Sequence, residues 1–267
     1  GEDVPVKLRN NRFAKLFEPI TKLFALPGYA ELDLTSLFAP FFMLFFGLCM
    51  GDAGYGALIT LGCIAGRFFA KPAWKPFLTL GTFFGLATVA IGVMTGTLFG
   101  VSLVEIPALR EFILIPEQGT LFTIALAFGF LQILFGMFVQ IVNRTRQYGF
   151  LHALPTVGWV IILLSLVCLA GADMVGPTAA EIGQYTVFVG IALILFFNDL
   201  KANIFVRLGK GVWELYNITS FFGDILSYVR LFALGISGGI LGAVINQISA
   251  QFESIPVVGP VLFIVAL

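Results

Sequence analysis

The chain reads as an all-α polytopic membrane protein of about eight transmembrane helices, one of them long, tilted and carrying Arg230. Three observations predict this. Of its 267 residues, 59% are hydrophobic and only 11% charged, with a mean hydropathy of +1.00, a balance typical of membrane-spanning chains. Apolar runs recur at about residues 36–69, 77–103, 120–142, 150–171, 184–197, 212–249 and 256–267. Between them, loops rich in Lys and Arg alternate with loops that have few or none, as expected when basic loops stay in the cytoplasm.

Residues 1–35 come first and are polar and mixed, with Lys7, Arg9, Arg12, Lys15 and Lys22. They lack the pattern of a signal peptide. The expectation is a cytoplasmic segment leading from a missing N-terminal domain, followed by a transmembrane domain over 36–267. The first apolar run is 34 residues long, and at ~1.5 Å per residue it far exceeds a hydrocarbon core of ~30 Å. Counted as one crossing, it puts the N-terminal basic tail on the side opposite to the other basic loops. Splitting it at Gly51-Asp52-Ala53-Gly54-Tyr55-Gly56 repairs the alternation. There Gly51, Gly54 and Gly56 permit a tight turn, and Asp52 is placed to cap a half-helix. The alternative is one long, tilted or kinked helix. With the split, thirteen of the 15 Lys and Arg lie inside, Arg110 lies outside and Arg230 stays within the membrane. The final run, 256–267, is too short to cross ~30 Å, so the expected last helix is truncated.

Arg230 is the candidate that most needs an explanation. It interrupts the run 212–249, and a guanidinium keeps its charge even when buried. Placing it at membrane depth costs roughly 2.5–3.5 kcal/mol on insertion scales. Gly223, Leu226, Ser227, Ala233, Leu234 and Ser237 share its helical face, with Gly238 a turn further on. Small side chains let another surface approach closely. The stripe suits either a packing face inside a bundle or a smooth surface against which something slides.

Other polar residues near it are weaker candidates. Asp224 lies six residues before Arg230, a rise of ~9 Å and a rotation of ~240°, unsuited to a direct ion pair. It suits a polar lining together with Ser220, Ser227 and Tyr228. Glu214 is placed near the start of this helix, where a carboxylate is electrostatically favoured. Asn246 and Gln247 either extend a hydrated path, bond to a neighbouring helix or face headgroups. Cys49, Cys63 and Cys168 lie in apolar runs, and His152 is the only histidine, so neither a disulfide framework nor a metal site is expected. No nucleotide loop, dinucleotide fingerprint or catalytic triad signature is present. A net charge of zero gives no reason to expect nucleic acid.

Two segments resemble a known family. Ser227-Tyr228-Val229-Arg230-Leu231-Phe232-Ala233-Leu234 is similar to the segment around the essential arginine in subunit a of V-type and A/V-type rotary ATPases, called subunit I in its bacterial form. Phe46-Gly47-Leu48-Cys49-Met50-Gly51-Asp52-Ala53-Gly54-Tyr55-Gly56 resembles the Gly-Asp-x-Gly signature that opens that family's membrane domain, and Pro27–Thr35 resembles its approach. The resemblance implies a non-catalytic stator subunit, without cofactor or metal, in a bacterial inner membrane. It would provide two ion half-channels for H+ or Na+ beside a ring of proteolipid c subunits, with lipid around it. Arg230 would drive ions off ring carboxylates and block leakage, while Asp224, Ser227, Tyr228, Glu214, Asn246 and Gln247 would line the path. Peripheral stalk subunits would attach through the missing N-terminal domain. Gly235–Gly238 stands where many eukaryotic relatives carry a histidine, and Asp224 stands where they often carry another. The family's second arginine would fall beyond Leu267. A secondary transporter with a midplane site is the competing class, but no second helix break matches the one at Asp52.

Overall fold

Backbone polar groups in a bilayer must be satisfied within their own segment, which favours helices. Helices dominate the computed structural model, which describes residues 10–11, 13–24, 32–106, 110–111, 113–115, 117–171, 176–199 and 202–252. In order these hold α1 (Glu18–Phe24), α2 (Thr35–Met50), α3 (Ala53–Phe69) and α4 (Lys75–Thr95), then a hairpin of β1 (Thr97–Leu98) and β2 (Val101–Ser102). After these come α5 (Gln118–Tyr148), α6 (Leu154–Ala170), α7 (Pro177–Phe197), α8 (Ile204–Leu215) and α9 (Ile218–Phe252). Three helical stretches among the described residues are long and apolar enough to cross a membrane: Lys75–Thr95, Gly119–Tyr148 and Ile204–Ile248. Thr35–Met50, Ala53–Phe69, Leu154–Ala170 and Glu181–Phe197 are apolar but shorter. The expected eighth span, 256–267, lies outside the described residues.

The described residues fall into two compact units. The first takes those of Gly1–Tyr29, Asp33–Ala127 and Ser227–Leu267, and the second those of Ala30–Leu32 and Phe128–Leu226. In the first, α4 is sandwiched between α2 and α3. Phe46 stacks on Phe84 at 4.7 Å, and Leu80 joins Ala39 and Phe17 in a buried cluster, so α2 and α4 run parallel. Gly56 abuts Gly85 and Val89, whereas Gly66 faces Leu78, so α3 runs antiparallel to α4. The chain therefore reverses direction at Gly51–Asp52. A Cβ on Gly56 or Gly85 would meet backbone of the other helix, and only such small residues let the two axes come this close.

The same pairings define the two ends of this unit. The starts of α2 and α4 lie together under the turn Ala14–Phe17, whose Phe17 is wholly buried. Lys15, Lys71 and Lys75 thus share one end, and Asp52 and the β-hairpin lie at the other.

The second unit is built on α6 and α7, packed through Gly158 and Gly190, each of which faces the other's carbonyl. Ser165 and Thr186 share a hydrogen bond of 2.7 Å across the pair. Met137, Trp159, Ile162, Leu163 and Ile194 form its core. Arg207 Nε donates to the Asp199 carbonyl at 2.8 Å and Lys210 pairs with the Asp199 carboxylate at 2.6 Å, so cations meet the carbonyl end of α7, where the helix dipole favours them.

Two spans differ from expectation. The run 77–103 stops being helical at Thr95, because Gly96 takes a left-handed φ of 70° that ends α4, and residues 97–102 form a hairpin instead. The run 212–249 is interrupted at Tyr216–Asn217 by tight i to i+3 turns, and α9 starts only at Ile218.

The end-to-end arrangement is testable by labelling. A Cys at Lys15 and a Cys at Lys71 should react with an impermeant reagent from one side of the membrane, and a Cys at Leu98 from the other. Labelling of the Lys71 and Leu98 positions from the same side would contradict the reversal at Asp52.

Candidate functional site

Asp52 accepts four backbone hydrogen bonds. Its side chain is 3% exposed. Oδ1 accepts from Gly54 N at 2.8 Å and Tyr55 N at 3.2 Å, closing the first turn of α3 as an N-cap. The same oxygen accepts from Phe99 N at 2.9 Å, and Oδ2 accepts from Gly100 N at 2.7 Å. A carboxylate offers about four acceptor positions; here three backbone donors converge on Oδ1 and one on Oδ2. Phe99 and Gly100 are the hairpin's central residues, at φ 50° and 73°. The type I′ turn requires positive φ at both, and glycine supplies it without strain at the second. Thr97 Oγ1 and Thr95 Oγ1 both donate to the Gly51 carbonyl, so the helix break and the hairpin form one hydrogen-bonded knot.

From Ser227 onward, α9 belongs to this same unit and has two distinct faces. On one, Tyr228 packs on Phe45 at 5.2 Å and Phe232 on Phe122 at 5.0 Å. Further along that face Gly235 meets the Leu48 carbonyl, Gly242 meets Gly100, and Asn246 Nδ2 donates to the Phe99 carbonyl. Those positions, 228, 232, 235, 242 and 246, follow the spacing of one helical stripe. On the other face Arg230, Ala233, Leu234, Ser237, Gly238, Leu241 and Val244 are all exposed, Leu234 at 51% and Leu241 at 61%. Among the described residues, the small-residue stripe carrying Arg230 is therefore not a packing face within this unit.

The other sequence candidates scatter. Ser227 is exposed and Tyr228 half-buried. Asn246 is engaged with the hairpin, and Gln247 beside it is exposed. Asp224 is exposed in the opening turns of α9, within the second unit. Glu214 sits in the last turn of α8, not at the start of the arginine helix. The favourable N-terminal placement expected for it does not hold, because the turn at Tyr216–Asn217 separates the two helices. Gly51, Asp52, Gly54 and Gly56 lie together at the reversal.

A cavity of about 260 Å³ opens beside the knot. Asp52, Thr95, Thr97, Ser102 and Glu117 give it polar lining, and Gly235, Gly239 and Ala243 of α9 close one side. Sequence reading missed Glu117, the hairpin and Gly242. The signal for the hairpin was Gly96 and Gly100 flanking Thr-Leu-Phe, hidden because those residues continue an apolar run.

These features define a helical membrane protein whose arginine-bearing helix is braced on one face and bare on the other. No family model matches the chain. Curated relatives do: an A-type ATP synthase subunit I from Methanocaldococcus jannaschii is 30% identical over all of this chain and 43% of its own length. A V-type ATP synthase subunit I from Treponema pallidum is 27% identical over 93% of the chain and 43% of the relative. An A-type ATP synthase subunit I from Methanothermobacter thermautotrophicus is 30% identical over 98% and 39%. Along its length the chain is thus similar to proteins named subunit I of A-type and V-type ATP synthases, and it spans about two fifths of the length of these relatives.

The facing of α9 is open to a direct check. In the solubilised chain, Cys replacing Ser237 or Leu241 should react rapidly with a maleimide, and Cys replacing Gly242 slowly. Equal rates at 241 and 242 would contradict the assignment of faces.

Proposed function

We propose that this chain is the membrane domain of a rotary ATPase stator subunit, non-catalytic itself, which conducts H+ or Na+ past a ring of small carboxylate-bearing subunits. The observation that carries the reading is the bare, small-residue stripe around Arg230. A fixed cation facing lipid is costly, and the cost is offset when an anionic partner arrives. A ring carboxylate brought beside Arg230 has its ionised form favoured, so it releases its bound ion there. The same charge repels an ion moving directly between the two aqueous paths. Small side chains at 233, 237 and 238 let the ring pass close by.

The polar cavity beside Asp52 supports an aqueous entry at one end of this helix, with Glu117, Ser102 and Thr97 able to hold water. By the positive-inside rule the Lys71 end lies in the cytoplasm, which puts the cavity at the outer end. Ser227 then belongs to the inner path, with Asn246 and Gln247 toward the outer one, and Asp224 and Glu214 are proposed as further lining residues. The remaining expectations travel with this reading: eight crossings, an inner-membrane location, and stalk subunits held through a further N-terminal domain. Each ion that crosses 100 mV carries roughly 2.3 kcal/mol, which such a machine converts to or from rotation.

The test is substitution in the intact complex. Arg230→Ala should abolish coupled ion transport with the complex still assembled, and Asp224→Asn should slow transport or shift its pH profile. Normal ATP-driven transport in Arg230→Ala would overturn the reading. An unchanged rate and profile in Asp224→Asn would remove Asp224 from the path.

A further inference from the structure

The Thr97–Ser102 hairpin does more than join α4 to the next segment. Asp52 holds its tip from one side through Phe99 N and Gly100 N. The carbonyl of the same Phe99 receives the Asn246 amide from the other side, and Gly100 lies against Gly242. Tyr55 packs edge-on against Phe99 at 5.5 Å, so the tip is also gripped by its ring. We propose that this hairpin is a clasp that fixes the rotation and height of the arginine helix, and that Asp52 and Asn246 are positioning residues for Arg230. The proposal rests on the stator reading and gives Asp52 and Asn246, beside the outer path, a structural role that is separate from conducting the ion.

The physical case is one of leverage. Beyond Gly235, α9 is bare on one face and rests on the unit through the hairpin tip, at Gly242 and Asn246. Asn246 lies sixteen residues past Arg230, or ~24 Å along the helix. A helix with side thrust on its exposed face needs a directional restraint, which apolar packing does not supply. The restraint passes from Asn246 through one peptide unit to a carboxylate that is itself locked to the start of α3. Both hydrogen-bonding groups of Phe99 are used, its N–H by Asp52 and its carbonyl by Asn246, so loss at either end loosens the whole link.

The chemistry of Asp52 separates its capping role from its clasping role. Oδ1 alone caps α3 and also holds Phe99, while Oδ2 holds only Gly100. In Asp52→Asn the amide oxygen keeps the Oδ1 bonds, but an NH₂ faces the Gly100 N–H, donor against donor. That variant keeps the cap and unhooks half the tip. Asn246→Leu keeps the branched shape of the side chain and removes the donor to Phe99.

The experiment compares the intact complex with Asp52→Asn, Asn246→Leu and the double variant, measuring the amount of assembled complex, ATP hydrolysis, and ion transport per ATP. Arg230→Ala is the control. The expected result is near-normal assembly, with transport per ATP lowered on the order of 10-fold in each single variant, short of the ~10²-fold that a full ~1 Å misplacement of a positioned group can cost. The double variant should be no worse than either single one, because both cut the same link. Three results would overturn the clasp: unchanged transport per ATP in both singles, a loss of assembled complex alone with the ratio unchanged, or losses that multiply in the double variant. Normal transport in Arg230→Ala would instead overturn the stator reading itself, so the two failures are distinguishable.

Discussion

The rest of the first unit depends on the two oxygens of Asp52. Four backbone N–H groups from two separate segments meet there in a site 3% open to solvent. Each such donor left unpaired in this buried site would cost about 1–3 kcal/mol. The α2 to α3 reversal, the start of α3, and the seat of the hairpin are thus set by one side chain. Glycines around it matter for a different reason. Gly47, Gly56, Gly85 and Gly92 each bring backbone to backbone, so that α4 fits between α2 and α3.

That knot determines what the arginine helix presents. The stripe through Tyr228, Phe232, Gly235, Gly242 and Asn246 is used for bracing, which leaves the stripe through Arg230, Leu234, Ser237 and Leu241 turned outward. A charged guanidinium on an outward face of a membrane helix is unfavourable in isolation. On the stator reading proposed above, that cost is offset when a partner brings negative charge to it. Under that proposal the charge acts on the arriving group and the small side chains let it pass.

Much of this was legible in the sequence, for reasons that can be named. The reversal at Asp52 followed from a run too long for the bilayer and from basic loops on conflicting sides. The stripe around Arg230 followed from helical periodicity. The hairpin was not legible, because Leu98, Phe99 and Val101 are as apolar as the helix before them, and the break depends on the left-handed φ of Gly96 and Gly100. Glu214 was misplaced for a related reason. Tyr216 and Asn217 carry no glycine or proline, so the turn between α8 and α9 leaves no mark in the hydropathy pattern. Asn246 was recognised as polar and intramembrane, but its partner is 147 residues away in sequence, and no local pattern points to it.

The central claim is that the outward stripe of α9 faces a separate, moving subunit. Photo-crosslinking from Leu241 in the intact complex tests it most directly, since that position is 61% exposed and one residue from the hairpin contact at Gly242. The account predicts adducts with a small hydrophobic ring subunit. Adducts confined to this chain's own helices would contradict it.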